Sequence, residues 1–247
     1  MHSEKISPYR HVPNMITCLN LFCGCLSVVA TFSGMPAIAA CLILAAAVFD
    51  FFDGFAARWL NAYSDLGKQL DSLADLVSFG VAPASMMYIL LFDALSFEIN
   101  INVHIFGAAA AYIIAVFSAL RLAKFNIDKR QNDAFIGLPT PANAIFICSL
   151  VFIAASDNLW SFLTANLFFL LAVTALSSFL LVAEIPLFSL KFKSFDWKNN
   201  KIRYIFVIIS VMVLIMLQCA GLAVVILIYI VLSFCSNLLC NRETSQE

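Results

Sequence analysis

Residues 50–75 read DFFDGFAARWLNAYSDLGKQLDSLAD. The stretch carries five carboxylates in a 247-residue chain that is 63% hydrophobic and only 12% charged. Asp50, Asp53, Asp71 and Asp75 follow one another at spacings of three, eighteen and four. On a helix, positions three or four apart share a face. Asp50 and Asp53 therefore project from one side of a helix, and Asp71 and Asp75 from one side of the next. A turn at 61–64 lies midway between them. At about 1.5 Å rise per residue, an antiparallel turn there sets the acids at two matched levels on facing helices. The stretch predicts a helical hairpin with four acids aimed at a common point.

The rest of the chain says what surrounds that hairpin. Mean hydropathy is +0.96, whereas soluble domains are nearer half apolar and a quarter charged. Long apolar runs recur along the whole length and are too continuous for the alternating strands of a barrel. The fold class is therefore all-α, a polytopic transmembrane helix bundle, because helices satisfy their own backbone in lipid. Eight spans are expected, at roughly 14–33, 36–60, 66–91, 103–121, 140–156, 159–183, 203–219 and 221–239, with the last pair divided at Ala220-Gly221. Gly34-Met35-Pro36 stops the first cleanly. That span is read as uncleaved, since Asn14 and Asn20 interrupt its apolar core and no small-x-small site follows. The net charge of −1 says nothing about a nucleic-acid partner, and with no basic domain, zinc spacing or RNA-binding motif none is expected. The eight cysteines form no CxxC pair and read as small core hydrophobes, not a disulfide framework.

The basic residues orient the spans. Lys5 and Arg10 precede the first, and Arg58 and Lys68 flank the turn after the second. Arg121, Lys124, Lys129 and Arg130 follow the fourth, and Lys191, Lys193, Lys198, Lys201 and Arg203 the sixth; Arg242 follows the eighth. The opposite connections hold Asp93, Glu98 and Asp157 and no Lys or Arg. The positive-inside rule then puts both termini in the cytoplasm.

Four acids near the membrane boundary repel one another, and a single charge at mid-bilayer costs roughly 2.5–3.5 kcal/mol on insertion scales. Arg58 and Lys68 are too few to neutralise them. Hard divalent cations with oxygen ligands do so best, and two ions can share four carboxylates, as at many phosphoryl-transfer centres. Gly54, Ala56, Ala57 and Gly67 keep the hairpin surface small; beside the acid pair, Gly54 allows a ligand close approach, whereas Ala56 suits helix packing. Asp65 sits in the turn and is solvated. A transporter using intramembrane acids is the contrasting class. It predicts acids spread through the bilayer or an inverted repeat, and the second half offers only Glu184 near a helix end.

Asp50-x-x-Asp53-Gly54-x-x-Ala57-Arg58, eight residues, then Gly67-x-x-x-Asp71-x-x-x-Asp75 resembles in full the signature of the CDP-alcohol phosphotransferase family. The resemblance implies an integral-membrane enzyme that moves the phosphatidyl group of CDP-diacylglycerol onto an alcohol and releases CMP. It implies two divalent ions, Mg2+ or Mn2+, held by Asp50, Asp53 and Asp71. Asp75 would complete the metal site and act as general base. Gly54, Arg58 and Ser64 would contact the CDP moiety, in a site that also takes in Ala57 and Gly67. Asn14 and Thr17, one turn apart at the start of the first span, are candidates to bind nucleotide or phosphate, as against capping and back-bonding roles.

Further segments, PNMITCLNLFCGCLSVV, DSLADLVSFGVAPA, RLAKFNI, FIGLPTPANA and FSLKFKSFDWKNNKIRY, are similar to the branch of that family whose acceptor is L-serine. Members using glycerol 3-phosphate, inositol or inositol phosphate would share every catalytic residue. Arg121 and Lys124, three apart, are candidates to meet the acceptor carboxylate or a lipid phosphate. Lys124 stands where arginine is expected and lacks its bidentate fork. The chain is read as one membrane domain, 1–247, with a catalytic core at 14–156 and additional helices at 157–247. A bacterial inner membrane, a cytoplasm-facing site and a homodimer, packed through the alanines at 108–111, complete the expectation.

Overall fold

The computed structural model describes residues 11–95, 101–127, 135–156, 160–187 and 197–243. Helix α1 (Val12–Phe32) stops at Gly34, whose φ of 74° is left-handed and costs glycine little; the Met35 N–H then closes on the Ala30 carbonyl at 2.9 Å. Pro36 opens α2 (Pro36–Trp59) at the first helical position, where its missing N–H is not needed. Asn61 turns the chain at φ 48°. Ser64 caps α3, its Oγ accepting from the Gly67 N–H at 3.0 Å, a contact worth about 1 kcal/mol. Helix α3 (Asp65–Ala94) has three consecutive pieces: an α-helix to Asp75, a π-helical turn over Leu76–Val81, and an α-helix from Ala82.

Helix α4 (Ile101–Ile127) includes a 3-10 turn at Ala109–Tyr112. The strands β1 (Phe135–Ile136) and β2 (Pro186–Leu187) form one antiparallel pair, with Phe135 opposite Leu187. Between them lie α5 (Thr140–Ala154), the single turn α6 (Ser161–Thr164) and α7 (Leu167–Val182); α8 (Trp197–Leu217) and α9 (Gly221–Glu243) follow. By length and composition α1 to α4 can cross a membrane. Helices α5 and α7, with Tyr204–Leu217 and Gly221–Phe234, are shorter apolar helices. Each of the eight expected spans meets one of these helices. The fold is a polytopic membrane helix bundle.

Some boundaries move for local reasons. The sixth span begins at Leu167 and not at 159, because Asn166 Oδ1 caps α7 by accepting from the Phe169 N–H at 3.1 Å. The break before α9 comes at Gln218, left-handed at φ 51°, and runs through a 3-10 turn to Ala220. Lys5, Arg10, Glu98, Lys129, Arg130, Asp157, Lys191 and Lys193 lie outside the described residues. Cys18, Cys23, Cys25, Cys41 and Cys148 are free thiols.

Helix α3 is the central element. Phe79, Ala82, Ala84, Met86, Met87 and Leu91 are all buried and share one core with residues of α1, α2, α4, α5 and α7. Helices α1 and α2 approach closely because Ala39, Ala40 and Ala46 present almost no side chain, and the Ser27 hydroxyl donates to the Ala39 carbonyl at 2.9 Å. The alanines at 108 and 111 are spent the same way: both are fully buried within the chain.

The expected hairpin is corrected in one respect. Helices α2 and α3 touch only sparsely, and α1 packs along both of them. Like charges at the acid positions oppose direct packing of the two faces, so a third helix has to hold them in register.

Candidate active site

The four acids do converge. One ligand oxygen each from Asp50, Asp53 and Asp71 lies within 4.8 Å of the others. Asp53 is 6% exposed, and Asp50, Asp71 and Asp75 are half-buried. Asp75 stands outside that trio but interacts electrostatically with Asp50 and Asp71. The two levels expected from the spacing are not separate here: Asp71 interacts electrostatically with both Asp50 and Asp53, and Asp75 with Asp50 and Asp71.

Helix α1 supplies the groups that hold the acids. The Thr17 hydroxyl donates to Asp53 Oδ2 at 2.6 Å and lies 3.1 Å from the Pro13 carbonyl. Its single proton is therefore engaged by protein, which gives Thr17 a part in orienting Asp53. One turn on, Asn20 Nδ2 donates to Asp75 Oδ1 at 3.4 Å. Asn20 was not among the candidates from sequence, although Asn14, Thr17 and Asn20 recur every third position on one face. The Asn20 carbonyl accepts from Ser78 Oγ at 3.0 Å, which ties α1 to the π-helical turn just after Asp75. Such turns often mark functional positions. Gly24 completes the contact, because a Cβ there would lie 2.8 Å from Ser78 Cα.

A cavity of about 560 Å³ opens beside the acids. It is lined by Asn14, Thr17, Asp53 and Asp71 and by Gly54, Ala57, Arg58, Ser64, Gly67 and Lys68, among others. All seven residues expected to face the nucleotide thus border one space. A Cβ on Gly54 would meet nothing nearer than Arg58 Nη1 at 3.8 Å, so the missing side chain leaves open room. Gly67 differs: a Cβ would sit 2.9 Å from Asn14 Oδ1 and 3.0 Å from Ser64 Oγ. Asn14 is no helix cap, since α1 begins at Val12 without a side-chain cap. Ser64 does cap, through an oxygen lone pair, and keeps its proton to donate.

Arg121 and Lys124 part company. Arg121 is 8% exposed and interacts electrostatically with Asp75 and with Tyr229 of α9. Lys124 is exposed near the end of α4 and lines no part of the cavity. A shared face in sequence spans two depths here. Lys68 Nζ reaches the Asn126 carbonyl at 3.3 Å, and Asn126 Nδ2 donates to Ser72 Oγ at 2.8 Å, pinning α3 to α4 at this end. The last two helices are not idle either. Helix α9 packs against α5, and the Tyr229 and Phe206 rings, 5.9 Å apart, join α9 to α8.

Comparison with known proteins bears on the whole of this arrangement. The sequence model of the CDP-alcohol phosphatidyltransferase family matches residues 10–187. The chain belongs to that family. Its curated relatives include proteins of similar sequence. One is the CDP-diacylglycerol–serine O-phosphatidyltransferase of Helicobacter pylori (strain J99), 36% identical over 163 residues, which are 65% of this chain and 64% of that protein. The protein of that name from Bacillus subtilis (strain 168) is 38% identical over 143 residues, 58% of this chain and 76% of that one. The archaetidylserine synthase of Methanothermobacter thermautotrophicus is 33% identical over 151 residues, 60% of this chain and 61% of that protein. The chain therefore matches less than two thirds of the length of the first and third.

The donor set suits a hard divalent cation. Three carboxylate oxygens this close destabilise one another unless a positive charge sits among them, and oxygen-only donors favour Mg2+ or Mn2+. Asp50, Asp53 and Asp71 could hold such an ion.

Proposed function

We propose that the chain transfers the phosphatidyl group of CDP-diacylglycerol to the hydroxyl of L-serine, giving phosphatidylserine and CMP. The observation that carries this is the convergence of the Asp50, Asp53 and Asp71 oxygens within 4.8 Å at the edge of the cavity. The names of the relatives supply the acceptor.

In this reading the cavity takes the CDP moiety, with Arg58, Ser64 and Asn14 offering donors and Gly54, Ala57 and Gly67 leaving space. Two divalent ions, Mg2+ or Mn2+, held by Asp50, Asp53, Asp71 and Asp75, would neutralise the pyrophosphate and the charge that builds on CMP. The serine hydroxyl oxygen bonds to the phosphorus that carries the diacylglycerol. The bond from that phosphorus to the bridging oxygen breaks, and its electron pair leaves with CMP. The hydroxyl proton passes to Asp75, which Asn20 orients. A carboxylate is a weak base toward an alcohol, so rate depends on positioning more than on basicity.

The segregation of Lys and Arg supports a site facing the cytoplasm, both termini cytoplasmic, and residence in a bacterial inner membrane. Residues 14–156 are assigned the catalytic core in this reading, and 157–247 the additional helices. A homodimer is the last part of the proposal. With Ala108 and Ala111 buried inside the chain, another face has to carry it, and cross-linking in membranes tests it.

The function is tested by an acceptor screen. The purified protein receives labelled CDP-diacylglycerol with serine, glycerol 3-phosphate, inositol or inositol phosphate in turn. Labelled phosphatidylserine and CMP are expected with serine alone. Product with a different acceptor, and none with serine, contradicts the reading.

A further inference from the structure

Buried polar atoms normally find partners. Among the described residues seven buried side-chain atoms have none, and six belong to five residues: Asn20 Oδ1, Ser118 Oγ, Arg121 Nε, Thr140 Oγ1, and both Nδ2 and Oδ1 of Asn143. Asn20, Ser118, Thr140 and Asn143 are fully buried, and Arg121 nearly so. Such a concentration of unsatisfied groups is costly to a bundle that could have used Ala or Leu there.

Asn20, Ser118 and Arg121 meet one segment, and α5, which carries Thr140 and Asn143, packs against it. Asn20 is bonded to Asp75 through its side chain and to Ser78 through its backbone. Ser118 packs on Gly80, where a Cβ would lie 3.1 Å from Ser118 Cβ. Arg121, one turn along the same face of α4, interacts with Asp75. Thr140 and Asn143 share a buried face of α5 with Ala144 and Ile147, which belong to one core with Phe79 and Ala82, and α5 contacts Leu76–Val81. Two helices thus bring unpaired polar atoms to the segment that begins at Asp75, and a third helix that carries three more such atoms packs on it. None of the five residues lines the nucleotide cavity.

Resting on the function proposed above, we infer that Arg121, Thr140 and Asn143, with Asn20 and Ser118, form the acceptor subsite, and that it recognises a zwitterionic amino alcohol. In-line displacement at phosphorus places nucleophile and leaving group on opposite sides. The nucleotide cavity is bordered by Asp53 and Asp71 and not by Asp50 or Asp75. The acceptor therefore enters on the Asp50–Asp75 side, where this cluster lies. Its chemistry matches an amino-acid head: a guanidinium for the carboxylate, and the amide oxygens of Asn20 and Asn143 for the ammonium. A phosphorylated acceptor would bring two negative charges, and among the described residues Arg121 is the one buried cation.

The test is steady-state kinetics of the full chain in detergent, with serine varied at saturating CDP-diacylglycerol and the reverse. Thr140→Val and Asn143→Ala should each raise the serine KM tenfold or more and leave the CDP-diacylglycerol KM within about twofold; Thr140→Ser should restore the serine KM. Arg121→Gln should abolish the preference for serine over serinamide. An unchanged serine KM in both α5 variants, or a parallel rise in both KM values, overturns the inference. A variant that fails to fold is replaced by Asn143→Asp and Thr140→Ala, read the same way. Should the wild-type protein use another acceptor, the serine reading and the zwitterion preference fall together. The subsite itself then falls only if these variants leave that acceptor's KM unchanged.

Discussion

Thr17 on α1 and Asp53 on α2 meet across the helix interface at 2.6 Å, the hydroxyl donating to a carboxylate that is almost fully buried. A hydrogen bond to a buried charge contributes roughly 1.5–3 kcal/mol. Thr17→Val keeps the shape and removes the donor. The expected result is a tenfold or greater fall in kcat/KM and a higher Mg2+ concentration for half-maximal rate, with Thr17→Ser close to wild type. Titration of activity against Mg2+ checks it; an unchanged profile means Thr17 does not orient Asp53.

Asp75 separates chemistry from binding. Asp75→Asn keeps the size of the side chain and its place beside Asn20 and Asp50 but cannot take a proton. Turnover should be abolished, while CDP-diacylglycerol binding, read by equilibrium binding of labelled lipid, stays within a few-fold of wild type. Substantial activity in the variant refutes the base assignment.

Gly54 and Gly67 predict opposite consequences for one added methyl group. At Gly54 the methyl enters open cavity, so Gly54→Ala should keep the melting temperature and weaken CDP-lipid binding. At Gly67 it meets Asn14 and Ser64 at about 3 Å, so Gly67→Ala should also lower the melting temperature. Thermal unfolding with and without CDP-lipid separates the two; equal effects contradict the geometry.

Gly24 predicts a stability loss away from the cavity. A Cβ would lie 2.8 Å from Ser78 Cα and 3.0 Å from Ser78 Cβ, so Gly24→Ala must move α1 off the π-helical turn. Overpacking of this kind costs about 1–3 kcal/mol, or several degrees in melting temperature. Because Ser78 is bonded to the Asn20 backbone, activity should fall further than stability alone explains.

What the sequence discloses here is what periodicity and charge encode. Asp50, Asp53, Asp71 and Asp75 stand out because carboxylates are rare in apolar helices and their spacing is helical. Gly34 and Ser64 announce their turns by residue type. Asn20, Ser118 and Asn143 carry no charge, and a lone polar residue in a span looks the same whether it faces lipid, a neighbouring helix or a substrate. Only the packing of α1, α4 and α5 on Leu76–Val81 shows that they share a neighbourhood. The packing of α1 along both α2 and α3 was hidden for a related reason: spacing within a hairpin reports levels along an axis, not the distance between axes. Arg121 and Lys124 read as equals in sequence, and only depth in the bundle distinguishes them.

The account depends on acids from α2 and α3 acting together on divalent metal. The most direct measurement is CMP release from CDP-diacylglycerol and serine by protein stripped by exhaustive chelation, then titrated with Mg2+ or Mn2+. Release should vanish on stripping and return with either ion, and Asp71→Asn should require far more ion or fail to respond. Undiminished release from the stripped protein would contradict the claim.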